Sequence, residues 1–174
     1  DEGVSASGSN VTGWSDISDG RNNGTPVGSP QLVNIEFPAG VRQAIRFDGS
    51  SGFDLANTAD LDLSAITIYA VMRTNASNSS RIVIAHYRDV VGFGLGISDT
   101  TSRRVKWFTS QPVNSMEPSS ATLNVGDFVT LEANFSGGRK ELYVDQQFTG
   151  GAVGTGLTYG VGNQLTVGYL KGNR

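Results

Sequence analysis

Along run after run of this chain, apolar and polar side chains alternate, and turn formers separate the runs. In Ile66-Thr67-Ile68-Tyr69-Ala70-Val71-Met72-Arg73, the residues Ile66, Ile68, Ala70 and Met72 fall on one face, and Thr67, Tyr69, Val71 and Arg73 on the other. Over 128–135, Val129, Leu131, Ala133 and Phe135 point one way, and Thr130, Glu132 and Asn134 the other. Over 139–145, Leu142 and Val144 oppose Glu141, Tyr143 and Asp145; Phe93, Leu95 and Ile97 alternate with Gly94, Gly96 and Ser98. Further runs lie at 33–37, 44–47, 81–87, 103–108 and 165–170. Between runs stand Asp19-Gly20, Asn23-Gly24, Asp48-Gly49, Ser136-Gly137-Gly138, Gly150-Gly151 and Gly162-Asn163, all turn signals. No window sustains a 3.6-residue apolar period, and 57–64 has room for one helical turn at most. Many short strands, each with one apolar and one mixed face, predict an all-β fold, an antiparallel two-sheet β-sandwich.

The chain has 174 residues, 37% of them hydrophobic, which supports one domain over 1–174 with a real core. With 13 basic and 16 acidic residues the formal charge is −3, so a nucleic-acid partner, which calls for a basic patch, is not expected. No apolar run approaches the roughly 18 residues of a membrane helix, so membrane insertion is not expected either. Having no Cys and a single His excludes disulfides, thiolate nucleophiles and multi-histidine metal sites. Residues 1–30 are rich in Gly, Ser, Asn and Thr, with Trp14 and Ile17 as apolar anchors, and read as a long ordered opening loop. A first residue Asp1 with no Met and no signal segment suggests a piece of a larger protein. Sequons at Asn10, Asn23, Asn75, Asn78 and Asn134 follow from a surface rich in Ser, Thr and Asn; glycosylation in a eukaryotic secretory path is the alternative.

Several stretches resemble bacterial laminin-G-like domains of the concanavalin A-like lectin-glucanase jelly-roll class. Val11-x-x-Trp14-Ser15-Asp16-Ile17-Ser18-Asp19-Gly20-x-Asn22-Asn23 is similar to the W-x-D-x-S-G-x-G-N segment of that family, and Ile45-Arg46-Phe47-Asp48-Gly49-Ser50 to its F-D-G turn. The 66–73 run resembles its F-T-I-x-A-W/V-V-K strand, and Leu165-Thr166-Val167-Gly168 its late L-x-I-G strand. These motifs occur in family order over most of the chain. The opening loop departs from the family pattern, reading Ser18-Asp19-Gly20-Arg21-Asn22. The family's first strand and its final F-x-G-x-I-D-E strand have no counterpart here, which would leave open sheet edges. The resemblance implies a jelly roll.

Catalysis is not expected. The retaining glucanases of this fold class carry an E-x-D-x-x-E strand to pair their carboxylates, and no such string occurs. Asp60-x-Asp62 reads as solvated turn residues, and Glu132 reads as alone on its face. His86-Tyr87-Arg88 supplies the residue types of a polysaccharide lyase, but strand neighbours point to opposite faces. No G-x-S-x-G elbow is present. Gly92-x-Gly94-x-Gly96 reads as close backbone approach, with a flat floor for a sugar as the alternative.

Carbohydrate binding needs an aromatic ring under the C–H face of a sugar and planar polar groups reading its hydroxyls. The mixed strand faces offer such groups: Tyr69, Arg73, Glu132 and Asn134 converge if these faces form the concave surface, with Tyr87, Trp107 and Tyr143 as further rings. The reading is a non-catalytic, lectin-like carbohydrate-binding module of a secreted or cell-surface multidomain protein, with a glycan and neighbouring domains as partners. A structural or adhesion domain making protein contacts is the alternative, and a lyase or hydrolase with an unrecognised site the second. No cofactor is required. Related jelly rolls often hold a structural calcium, for which Asp16, Asp19 and Asp48 are the candidate ligands.

Overall fold

A computed structural model describes residues 3–37, 39–55, 61–74, 81–88, 91–97, 103–109, 121–153, 156–157, 159 and 164–169, with the side chains of Arg81, Tyr87 and Arg88 left out. The described residues form strands and no helix. In chain order these are β1 (Val4–Ser7), β2 (Asn10–Trp14), β3 (Gly24–Val27), β4 (Gln31–Phe37), β5 (Gly40–Arg46), β6 (Gly52–Leu55) and β7 (Ile66–Arg73). They continue as β8 (Arg81–Arg88), β9 (Val91–Ile97), β10 (Val105–Thr109), β11 (Phe128–Ser136), β12 (Arg139–Val144), β13 (Gln147–Val153) and β14 (Leu165–Val167).

Two antiparallel sheets result. Sheet A has ten strands in the order β10-β9-β8-β14-β6-β3-β2-β4-β5, with β1 also on β2; sheet B has four, β13-β12-β11-β7. The fold is the expected antiparallel two-sheet β-sandwich. Its core is built from the inward halves of the alternating runs. Ile68, Val129, Leu131, Ala133, Phe135, Leu142 and Val144 of sheet B meet Phe93, Leu95, Ile97, Val105, Trp107 and Leu165 of sheet A. Non-directional apolar burial thus selects the register, because slipping a strand by one residue would turn its apolar set to water.

Residues 1–30 are not one long loop: they contain β1, β2 and β3, all in sheet A. Their Gly- and Ser-rich composition masks the pairing, because few of their side chains are buried. Three of the four segments that carry the resemblance come together around Phe53, with Val167 of β14 paired to it, whereas the 66–73 run lies in sheet B. Trp14 and Phe47 both meet Phe53 edge-on, at 5.3 and 6.0 Å between ring centroids. Phe47 also lies against Gly168, where an added Cβ would come within 2.7 Å of its ring.

Gly150-Gly151 is not a turn but lies inside β13. The turn falls earlier, at Asp145-Gln146, whose φ values of 50° and 66° match those of Gly137 and Gly138, 57° and 76°. Both pairs have the left-handed backbone of two-residue hairpins whose twist suits paired strands. These two hairpins hold β11, β12 and β13 in one meander and set which of their residues stand side by side.

Candidate glycan-binding face

The outward face of sheet B collects most of the residues singled out in the sequence. Tyr69 on β7 stands opposite Glu132 on β11, Glu132 opposite Tyr143 on β12, and Tyr143 opposite Phe148 on β13. Directly paired antiparallel residues share a face, so Tyr69, Glu132, Tyr143 and Phe148 form one row across all four strands. At the usual strand spacing the row spans about 14 Å. Its ends are open: Tyr69 is 73% and Phe148 56% exposed. The rings of Tyr143 and Phe148 meet edge-on at 5.6 Å.

The adjacent row is polar. Thr67 stands opposite Asn134, and Asn134 opposite Glu141. Asn134 donates its side-chain N–H to Glu132 Oε1 at 2.9 Å, which orients that carboxylate. Glu141 pairs with Arg139 at 2.9 Å and accepts the Tyr143 hydroxyl at 3.3 Å. Burial pushes the Tyr143 hydroxyl above its ordinary pKa of 10.0, and the negative charges of Glu141 and Glu132 add to the shift. Glu132 is therefore not alone on its face: hairpin pairing makes Glu141 its diagonal neighbour, which strand alternation within one run cannot reveal.

The other predicted residues divide. Arg73 shares this face, but lies about 13 Å along β7 from Tyr69. Its guanidinium sits over the Phe128 ring, 5.0 Å from the centroid. Trp107 does not belong to the face. It is 0% exposed in the core, and its indole N–H donates to the Asn134 backbone carbonyl at 3.2 Å, so its ring is closed to a sugar. The Tyr87 side chain lies outside the described residues. Sequence reasoning missed Phe148 and Glu141. For Phe148, the signal was the Asp145-Gln146 pair between two alternating runs, hidden by the double glycine that follows.

His86 is 0% exposed and packs among the rings of Phe93 and Tyr159, at 5.8 and 4.8 Å, out of reach of a polymer as a base. Burial pushes the Tyr159 hydroxyl up to about 12. Asp62 is exposed, and Asp60 lies outside the described residues. Gly94 is covered by Phe108: a Cβ there would collide with its ring, so this glycine serves close approach rather than a sugar floor.

Asp16 and Asp48 each close a turn. Asp16 accepts the N–H groups of Ser18 and Asn22, both at 2.8 Å. The Ser18 hydroxyl and these N–H groups hold its carboxyl below 3.8. Asp48 Oδ1 accepts the N–H of Ser50 and of Ser51, at 2.9 and 2.8 Å, and the Ser50 hydroxyl at 3.0 Å. The Ser50 N–H, the Ser51 and Ser50 hydroxyls and the Ser51 N–H hold its carboxyl well below the usual range. Among the described residues, Asp16, Asp19 and Asp48 do not join any group of three acidic or histidine side chains able to hold a metal ion.

No protein-family model matches the sequence, and no curated protein does. Among solved structures the chain is similar to the carbohydrate-binding module CBM66 from Bacillus subtilis. Identity is 15% and the TM-score 0.50, over 84% of this chain and 91% of that one. At this identity the likeness lies in the fold, a two-sheet β-sandwich.

Proposed function

We propose that this domain binds carbohydrate without transforming it, holding a glycan across the outward face of sheet B. The observation that carries this reading is the Tyr69–Glu132–Tyr143–Phe148 row. It offers exposed rings for the C–H faces of sugars and an oriented carboxylate for their hydroxyls. The likeness to a carbohydrate-binding module supports it. Among the described residues the face is open, with Tyr69 and Phe148 both exposed, rather than a cleft that excludes water, which favours binding over hydrolysis. Binding of this kind suits a module attached to other domains of a secreted or cell-surface protein and needs no cofactor.

Affinity electrophoresis in soluble polysaccharides, followed by calorimetry with oligosaccharides, tests the proposal. Tyr69→Ala and Phe148→Ala each remove an exposed ring and should weaken binding about tenfold, equivalent to about 1.4 kcal/mol, with the fold intact. A folded protein that retards in no polysaccharide would overturn it.

A second reading has one observation in its favour. Val71 and Val153 are exposed on the same face as Tyr69 and Phe148, so the face also has the apolar content of a protein contact. Self-association or partner capture abolished by Val71→Ser, without glycan binding, would select it.

A further inference from the structure

The charge on the outward face of sheet B is unevenly compensated. Of its two central carboxylates, Glu141 has Arg139 at 2.9 Å. Among the described residues, Glu132 has the neutral Asn134 amide as its hydrogen-bond donor and no cation. The other arginine of the face, Arg73, is seated on Phe128. An uncompensated carboxylate thus lies between two tyrosine rings, Tyr69 and Tyr143, in the middle of the row. The electron-rich faces of such rings attract cations, as the carboxylate does. The net charge of −3 points the same way at longer range.

We infer that the glycan class this face selects is one whose sugars carry free amino groups, a polymer of amino sugars, with the ammonium of one unit on Glu132 and neighbouring units stacked on Tyr69 and Phe148. This rests on the carbohydrate-binding reading above and narrows it. Three features favour a cationic sugar polymer over other ligands. The rings stand in line over about 14 Å rather than enclosing one point, which suits a linear chain and not a single quaternary ammonium. Uronic acid polymers would bring a second negative charge to an uncompensated one. Neutral sugars satisfy the rings but leave the Glu132 charge partly desolvated without a cation. The raised pKa of Tyr143 agrees with a negative local potential, although burial is its larger cause.

The test is calorimetry of the intact chain with three oligomers of equal length and linkage: glucosamine, N-acetylglucosamine and glucose. The glucosamine oligomer should bind about tenfold more tightly than the others at low salt and neutral to mildly acid pH, and the advantage should shrink at high salt. Glu132→Gln keeps the acceptor for Asn134 and removes the charge; it should bring glucosamine affinity down to the level of the neutral oligomers, with an unchanged circular dichroism spectrum. Equal or tighter binding of the neutral oligomers, still sensitive to Tyr69→Ala, would overturn the inference and leave the carbohydrate-binding reading standing. Polylysine binding as tight as glucosamine would also overturn it, since charge alone would then suffice. Binding of none of the three, nor of any polysaccharide, would overturn both.

Discussion

The indole N–H of Trp107, on sheet A, is hydrogen-bonded to the backbone carbonyl of Asn134, on sheet B, at 3.2 Å. One fully buried ring thus braces the strand whose opposite face carries the half-buried Asn134 and Glu132. Trp107→Phe deletes this bond and part of the ring volume, and should lower unfolding free energy by about 1–3 kcal/mol. Urea denaturation followed by far-UV circular dichroism reads it. A variant as stable as the parent would contradict the buried position.

Phe108 covers Gly94, so the two positions should be coupled. Gly94→Ala drives a methyl group into the ring and should destabilise by about 1–3 kcal/mol. In a Phe108→Ala background the same change should cost distinctly less. A double-mutant cycle in guanidinium gives the coupling, and strict additivity would refute the contact.

Lys140 points inward on β12, is 0% exposed, and lies opposite Phe135 and Ala152. Burial lowers its pKa from 10.5 to about 8. Between these values the unfolded chain binds more protons than the folded one, so this group makes stability rise with pH. The rise should be visible from pH 8 to 10, below the ordinary tyrosine value of 10.0. Lys140→Met should flatten it, as measured by urea midpoints across that range.

Asp48 and Asp16 have folded pKa values below 3.8 because N–H and hydroxyl donors favour their ionised forms. Depressed carboxyl pKa values contribute stability that is present above the unfolded value and lost as pH falls through the folded one. Asp48→Ala should therefore lower the melting temperature at pH 7, and the gap to the parent should narrow as pH drops below 3.8. A gap that stays constant down to strongly acid pH would show that the turn does not depend on the charge.

How far the chain could be read depends on the range of the interaction involved. The two faces of β7, β9, β11 and β12 were legible because alternation is local: Ile68, Leu131 and Val144 are buried as their parity requires. β13 was not, because Gly150 and Gly151 imitate a turn, whereas the real one uses Asp145-Gln146. Trp107 is a ring candidate in sequence but a core residue in the fold, because an aromatic at the inward parity of a short strand looks the same in sequence as one on a platform. The exposed position of Tyr69 and its grouping with Glu132 and Asn134 were legible, but Phe148 and the register that lines them up were not.

What the amino-acid order determined by itself is the segregation of each strand into an inward and an outward half, since side chains project alternately from any extended backbone. The tertiary structure alone decided which outward residues became neighbours. Tyr69 and Phe148 are 79 positions apart in the chain, yet belong to one row through three strand pairings. Hydrogen-bonded register, set by hairpin geometry and the shared core, fixes lateral neighbours, and no periodicity within a single strand encodes it.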